Sequence, residues 1–153
     1  MLFTILFFLP CVFTYIIYIH IHQVKNKIYQ GIKMTTTYQK GASDNRPWGT
    51  WEVLETSTGY CVKKICVKPH AQLSLQLHHH RAEHWIIADG QAVVTIGDKK
   101  INVKKDDAVY IPVETKHRIE NDSDKVMTFI EVQTGDLLDE DDIVRFEDVY
   151  GRV

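Results

Sequence analysis

The sequence has no excess of basic residues and few cysteines, and both shortages exclude classes of protein. Its 18 Lys and Arg residues are balanced by 20 Asp and Glu residues, for a formal net charge of −2 at pH 7. Nucleic-acid-binding proteins present a basic surface, so we expect no nucleic-acid partner. Of the 3 cysteines, Cys61 and Cys66 lie on one predicted strand at positions that face opposite sides, so they should not pair. Reduced thiols indicate a cytosolic (cytoplasmic) domain.

The first 24 residues contain no Asp, Glu, Lys or Arg. This run is long enough to span a bilayer, and it lacks the basic start of a signal peptide. Lys25, Lys27 and Lys33 follow it, which would place the rest of the chain in the cytosol if the run is an anchor. The alternatives are a start codon assigned too early, with Met34 as the true start, or a cleaved signal.

The chain divides by composition into three parts. Residues 1–33 are the apolar N-terminal segment, either a mis-assigned start or a membrane anchor, and residues 34–45 are a polar linker. Residues 46–152 have the size of one domain. This part contains no glycine-rich phosphate loop and no internal repeat, so we expect neither nucleotide transfer nor a repeat architecture.

Short runs of β-forming residues, separated by turn residues, dominate the domain. The predicted strands are Trp51–Leu54, Tyr60–Val67, Gln72–His80, His84–Ala88, Gln91–Ile96, Lys100–Val103, Ala108–Ile111, Lys116–Glu120 and Val126–Gln133. Closely spaced short strands predict an all-β fold, a sandwich or a jelly-roll barrel. For the tail Leu137–Arg152 we expect a short helix with Asp139 as N-cap, or an acidic run that covers the barrel.

The most informative residues are the histidines of the segment HHHRAEHW. Side chains on a strand alternate, so His78 and His80 share one face, while His79 points to the other. With Glu83 and the distant His117 they make a set of three imidazoles and a carboxylate. That donor set is typical of a divalent transition metal with a position left for water or substrate.

The spacing around these residues resembles the two cupin motifs. The interval from Glu83 to Gly90 is kept, and so are the intervals that relate Pro112, His117 and Asn121. The departures are Pro69, Asp106 and Glu114 at glycine positions, and a short interval between His80 and Glu83. The resemblance implies one cupin jelly-roll domain with His78, His80, Glu83 and His117 as metal ligands.

Longer segments resemble the type II mannose-6-phosphate isomerase domain, which usually forms the C-terminal part of bifunctional guanylyltransferase/isomerases. They are RPWG (46–49), LSLQLHHHRAEHW (73–85), VYIPVETKHRIEN (109–121), IEVQTGD (130–136) and EDDIVRFEDVYGR (140–152). The resemblance implies interconversion of mannose 6-phosphate and fructose 6-phosphate, one divalent metal ion with zinc favoured, and a homodimer. An arm over residues 34–52 could cross to the partner subunit. Type I isomerases use a Q-x-H pair, which leaves Gln76 as the alternative to His80.

The remaining site residues are expected from the chemistry of this reaction. A general base must remove a proton from carbon, and Glu131 is our candidate. A phosphate needs cationic donors. Arg118 is a catalytic candidate beside His117, and Arg81, Lys116 and Arg145 are candidates for substrate binding. A cupin epimerase or oxygenase, and a non-catalytic sugar-phosphate-binding cupin, are the rival functions.

Overall fold

The computed structural model describes residues 35–152, which form fourteen strands and no helix. The strands are β1 (Thr35–Thr36), β2 (Ser43–Arg46), β3 (Gly49–Ser57), β4 (Tyr60–Val67), β5 (Ala71–Gln72), β6 (Leu75–Leu77), β7 (Arg81–Asp89), β8 (Gln91–Ile96), β9 (Lys99–Lys104), β10 (Ala108–Ile111), β11 (His117–Asn121), β12 (Met127–Gly135), β13 (Leu137–Leu138) and β14 (Val144–Glu147). The all-β fold class is confirmed. The expectations for residues 1–33 lie outside the described residues.

Two antiparallel sheets make up the domain. One has the order β10-β7-β12-β4-β3-β2, and the other has the order β14-β6-β11-β8-β9, with β5 paired to β11. A small parallel pair joins β1 to β13. The tail of the chain therefore takes part in both the second sheet and the small pair, through β14 and β13.

The inward face of the first sheet changes from apolar to polar along its strands. At one end Phe129 on β12 is aligned with Ile65 on β4 and Ile87 on β7, and all three are buried. Two residues further along β12, Glu131 is aligned with Lys63. Buried apolar side chains drive folding, whereas buried charged ones need partners. One end of the barrel is therefore the hydrophobic core, and the other holds the polar residues of interest.

The predicted strand Gln72–His80 is interrupted in the structure. It forms β5 and β6, and the residues after Leu77 leave the sheet. The backbone amides of His79 and His80 donate to the Asp142 carboxylate, at 2.9 and 3.1 Å, instead of to a neighbouring strand. Side-chain alternation therefore does not extend to His80.

The tail differs from its predicted helix. Residues 137–152 form β13 and β14, and β14 pairs with β6. Asp139 accepts a hydrogen bond from the Asp141 amide at 2.9 Å, but a turn follows rather than a helix. The helical tail was wrong because the exposed backbone edge of β6 offers β14 a partner that a local pattern does not show.

The stretch 34–45, expected to be a linker, belongs to the fold from its first described residue. It contains β1 and most of β2, and Tyr38 is buried. Trp48 is buried in the main core of the same chain. The arm thus packs on its own chain in this structure rather than extending away from it.

Two residues that stand in place of motif glycines adopt the left-handed backbone conformation. Asp106 has φ of 76° and Glu114 has φ of 59°. Glycine adopts such angles at no steric cost, and other residues rarely do. At these two positions the backbone therefore has the conformation that the motif glycines would adopt most easily.

Cys61 and Cys66 are both free, as their spacing predicted.

Among residues 35–152 there is no helix with the length and hydropathy needed to cross a membrane.

Candidate active site

Three buried side chains from three parts of the chain meet inside the barrel. Glu83 lies on β7, His117 begins β11, and His78 follows β6. Glu83 Oε1 is 3.0 Å from His78 Nε2, and Glu83 Oε2 is 3.5 Å from His117 Nε2. One ligand atom from each residue lies within 4.8 Å of the others, so the three could hold a metal ion.

The outer nitrogens of both imidazoles are bound to backbone carbonyls. His78 Nδ1 lies 2.5 Å from the Asp142 oxygen, and His117 Nδ1 lies 2.8 Å from the Thr115 oxygen. A carbonyl only accepts, so each Nδ1 carries the proton and, in a neutral ring, each Nε2 presents a lone pair to the centre. This arrangement is the usual one for metal-bound histidine.

The residues fit a metal ion because one inward-facing acceptor of the triad has no donor. His117 Nε2 is buried and has no hydrogen-bond partner. Burial lowers the pKa of His117, which favours the neutral ring that a metal requires. The lone pairs of the neutral imidazoles and the buried carboxylate would repel one another. A cation at the centre removes that cost in free energy.

Arg81 lies at the edge of the triad. Its Nε is 3.3 Å from Glu83 Oε1, and its Nη2 is 3.4 Å from His78 Nε2. Burial alone raises the pKa of Glu83, but its close contact with His78, and the nearby His117 and Arg81, outweigh burial and hold that pKa well below its usual range. Glu83 is therefore ionised and ready to coordinate a cation.

A second carboxylate lies beside the triad. The Trp85 indole nitrogen is 3.1 Å from Glu83 Oε2 and 3.0 Å from Glu131 Oε2, so it can donate to either carboxylate, and Gln133 donates to Glu131 Oε1 at 2.6 Å. Burial, and next the charge of Glu83, raise the pKa of Glu131 to about 8. The two carboxylates thus differ in proton affinity: Glu83 stays ionised, while Glu131 can hold a proton near neutral pH.

An open cavity of about 530 Å³, including the space at its mouth, leads to these groups. Glu83, Glu131 and Gln76 line it. Its positively charged lining residues are Arg46, Lys63, Arg81, Arg145 and Arg152. Its negatively charged lining residues are Glu83, Glu131 and Glu140. A cavity with five cations and three carboxylates suits a small polar anion.

Arg145 is the cation of this cavity with the fewest partners. Its Nε atom is buried and has no hydrogen-bond partner. Burial, and then the charge of Arg152, lower the pKa of Arg145. Arg152 is held by Asp148, with its Nε 2.6 Å from Asp148 Oδ2. An anion bound here would satisfy Arg145 and reduce the repulsion between the two arginines.

Of the predicted ligands, the structure brings together His78, Glu83 and His117 but not His80. The His80 side chain is 49% exposed, and its Nδ1 atom lies 3.3 Å from Asp136. Gln76, the alternative, lines the cavity with Glu83, and its Oε1 accepts a hydrogen bond from Ser74 at 2.8 Å. An amide oxygen has a second lone pair, so this bond leaves Gln76 able to act as a ligand.

The predicted catalytic and substrate-binding residues are divided between two regions. Glu131, Arg81 and Arg145 line the cavity. Arg118 is bound to Glu147 at 3.1 Å, and the Lys116 ammonium lies 4.0 Å from the centre of the Phe146 ring. Both lie away from the cavity lining because they flank the inward-facing His117 on a strand whose side chains alternate.

Sequence reasoning missed Lys63 and Asp142. Lys63 is only 4% exposed, and its Nζ is 2.6 Å from Glu140 and 3.7 Å from the centre of the Tyr38 ring. The signal was present, because Lys63 occupies a position between Cys61 and Ile65 on the inward face of a predicted strand. No local signal marked Asp142, since its partners lie more than 60 residues earlier in the sequence.

A barrel of two antiparallel sheets, here with a buried His–Glu–His set that could hold a metal ion, defines the cupin class. The solved structure of the Schizosaccharomyces pombe Cnp3 cupin domain has the same fold, with a TM-score of 0.57 and 15% identity over 61% of this chain and 69% of that one. The family model described as "Mannose-6-phosphate isomerase C-terminal" matches residues 33–148, and the chain belongs to this family.

Two curated relatives illustrate the relationship. Xanthan biosynthesis protein XanB of Xanthomonas campestris pv. campestris (strain B100) is 50% identical over 107 residues, which are 70% of this chain and 23% of the relative. Alginate biosynthesis protein AlgA of Pseudomonas aeruginosa is 46% identical over 131 residues, 86% of this chain and 27% of the relative. The chain thus spans about a quarter of the length of these relatives.

Proposed function

We propose that this chain is a metal-dependent aldose–ketose isomerase that interconverts mannose 6-phosphate and fructose 6-phosphate. The observation that carries the proposal is the juxtaposition of the buried His78–Glu83–His117 triad, whose Glu83 lines the cavity, with a second cavity-lining carboxylate of raised pKa, Glu131. Membership of the isomerase family supports the same reaction.

The triad would hold one divalent ion, with zinc favoured by two imidazoles and a carboxylate. Gln76 is our fourth ligand, since it lines the cavity that His80 does not reach. When bound, the metal supplies a Lewis acid that polarises the substrate's carbonyl and hydroxyl oxygens. The chain's own part is to hold both imidazoles in the required tautomer and to keep Glu83 ionised.

Glu131 is our candidate for the group that moves the proton between C2 and C1. Aldose–ketose isomerisation removes a proton from one carbon and returns it to the neighbouring one, so a single base can serve both steps. A carboxylate with a pKa of about 8 accepts a proton more readily than an ordinary glutamate does. Trp85 and Gln133 bond its two oxygens and fix its orientation.

The phosphate would bind at the arginine end of the cavity. Arg145 offers an unsatisfied buried Nε, and Arg46 and Arg152 line the same space. A doubly charged phosphate can bind several guanidinium groups at once. Lys116 and Arg118 are engaged elsewhere, so we assign them no role in the reaction.

The test is a coupled isomerase assay on the purified chain, before and after a chelator, with metal content measured on the same samples. We expect activity to fall with metal removal and to return with Zn²⁺. His117→Ala should lose both metal and activity. His79→Ala should keep both, because the His79 side chain is exposed and lies 3.4 Å from Glu114, away from the triad, and the substitution leaves its backbone amide in place. A metal-loaded chain that binds mannose 6-phosphate without turning it over would overturn the isomerase proposal in favour of a non-catalytic binder.

A further inference from the structure

The segment between β12 and β14 wraps around the loop that presents the metal-binding histidine. We call residues 139–142 the wrapping segment and residues 78–81 the ligand loop. Asp142 contacts three successive residues of this loop: its carbonyl bonds His78 Nδ1, and its two carboxylate oxygens accept from the amides of His79 and His80. In addition, Arg81 Nη1 donates to the Asp139 carbonyl at 2.7 Å.

The Asp142 side chain, which makes the contacts with the two amides, is buried. Asp142 is 7% exposed, and Arg81 Nη1 lies 3.6 Å from its Oδ2 atom. A buried carboxylate costs free energy unless it is paired and hydrogen-bonded, and this one has two amides and a guanidinium. The backbone of His79 and His80 has left the sheet, so Asp142 takes the place of a neighbouring strand.

We propose that Asp142 is a positioning residue that couples metal binding to the docking of the wrapping segment. Its carboxylate fixes the backbone of the ligand loop, and its carbonyl fixes the tautomer and ring orientation of His78. Mutation of a group that orients a metal-bound histidine commonly changes the affinity for the metal. Coupling is reciprocal, so a metal in the triad should also hold the wrapping segment in place. The inference rests on the proposed metal site, but not on the sugar reaction.

The first test compares Asp142→Ala, Asp142→Asn and Asp141→Ala with the unmodified chain. Each is titrated with Co²⁺ alone, followed by its visible absorption, and then with Zn²⁺ in competition. Asp142→Ala should bind metal about 10- to 100-fold more weakly, with an altered cobalt spectrum. Asp142→Asn should be intermediate, because the amide keeps one acceptor oxygen. Asp141→Ala removes the same charge from the neighbouring exposed residue and should match the unmodified chain.

The second test does not need a variant to fold. Hydrogen exchange at the amides of His79 and His80 is measured in the unmodified chain with and without Zn²⁺. We expect slower exchange with metal, because the metal stabilises the loop and its bonds to Asp142. Unchanged exchange at both amides, or an Asp142→Ala chain with the affinity and spectrum of the unmodified one, overturns the inference. An unmodified chain that binds no metal overturns the proposed metal site as well.

Discussion

At the scale of single residues, neighbours on one strand have unrelated roles. Lys63 and Lys64 are adjacent on β4, yet Lys63 faces the cavity and is 4% exposed, while Lys64 faces outward and is 44% exposed. Lys63 holds Glu140 and lies over the rings of Tyr38 and Trp51. A strand therefore provides a matched pair of lysines that differ mainly in burial.

We expect Lys63→Met to lower the free energy of unfolding by about 2 kcal/mol, because it removes a largely buried charge-assisted hydrogen bond. Lys64→Met should change it by less than about 0.5 kcal/mol, since an exposed ion pair contributes little. Urea unfolding of the two variants and the unmodified chain measures both. Equal losses for both lysines would show that the burial of Lys63 has no energetic consequence.

Asp106, whose backbone is in the left-handed conformation, gives a prediction of the opposite sign, because replacing it should raise the free energy of unfolding. It is exposed, and its φ of 76° is costly for a residue with a Cβ atom. Asp106→Gly should raise the free energy of unfolding by roughly 0.5–1 kcal/mol. Asp98→Gly is the control, because Asp98 is exposed with φ below zero, and there added freedom of the unfolded chain should lower stability. Thermal unfolding distinguishes the two signs.

Residue types and spacing were enough to find His78, Glu83 and His117, since two strands and one motif interval bring them together. They were not enough for His80. The sequence pattern continued the strand to His80, but the amides of His79 and His80 bind Asp142, more than 60 residues later. A long-range bond of this kind leaves no periodic trace, so strand alternation grouped His80 with the buried triad, whereas the structure leaves the His80 side chain exposed.

At the scale of elements, the tail forms the strand β14, which is followed by an ion pair between Arg152 and Asp148. We call this ion pair the clasp. Beyond β14, Arg152 bonds both oxygens of Asp148, at 2.6 and 2.9 Å. The hydrogen bond from Arg152 is the largest influence on the carboxyl of Asp148 and lowers its pKa below the usual range. The clasp holds Arg152 at the cavity that Arg145 also lines.

The clasp predicts a defined pH dependence. Because the folded-state pKa of Asp148 lies below its unfolded value, its stabilising contribution is present above the unfolded pKa, near pH 4. It is lost as the pH falls through the lower, folded-state pKa. Asp148→Asn should therefore be less stable than the unmodified chain at pH 7. The difference in their free energies of unfolding should become smaller below about pH 4. Denaturant unfolding at several pH values tests this, and a gap independent of pH would contradict it.

The strand pattern predicted most elements of the two sheets, including β4, β8 and β10 with their observed bounds. It failed for the tail, where Asp139 and the acidic residues after it resemble a helix start. Helix-capping signals are local, whereas pairing of β14 with β6 depends on an edge formed about 70 residues earlier. The same limit explains why the sequence predicts a linker where β1 forms: the partner of β1, β13, lies about a hundred residues away.

At the scale of the whole molecule, the apolar core of the described residues lies between Tyr38 and Tyr150. We therefore expect residues 34–153, expressed alone, to fold and to bind metal like the full chain. Circular dichroism and gel filtration check folding, and cobalt titration checks the site. An aggregated or unstructured product would show that the segment 1–33 is needed for folding.

We also expect a homodimer. The strand β10 ends one sheet, and exposed sheet edges favour association. In this structure the arm packs on its own chain, where Tyr38 and Trp48 are buried. Light scattering at micromolar concentrations should give twice the mass of the chain, and a monomer would contradict the prediction.

The wrapping segment has a consequence for the order in which the site is made. Asp142 is synthesised after every strand of the first sheet, so a nascent chain that ends at β12 contains the triad without the residue that orients His78. Such a chain would present His78 on a loop whose amides lack Asp142. Metal loading should then follow completion of the tail during synthesis, and a chain cut before residue 139 should be found folded but poor in metal.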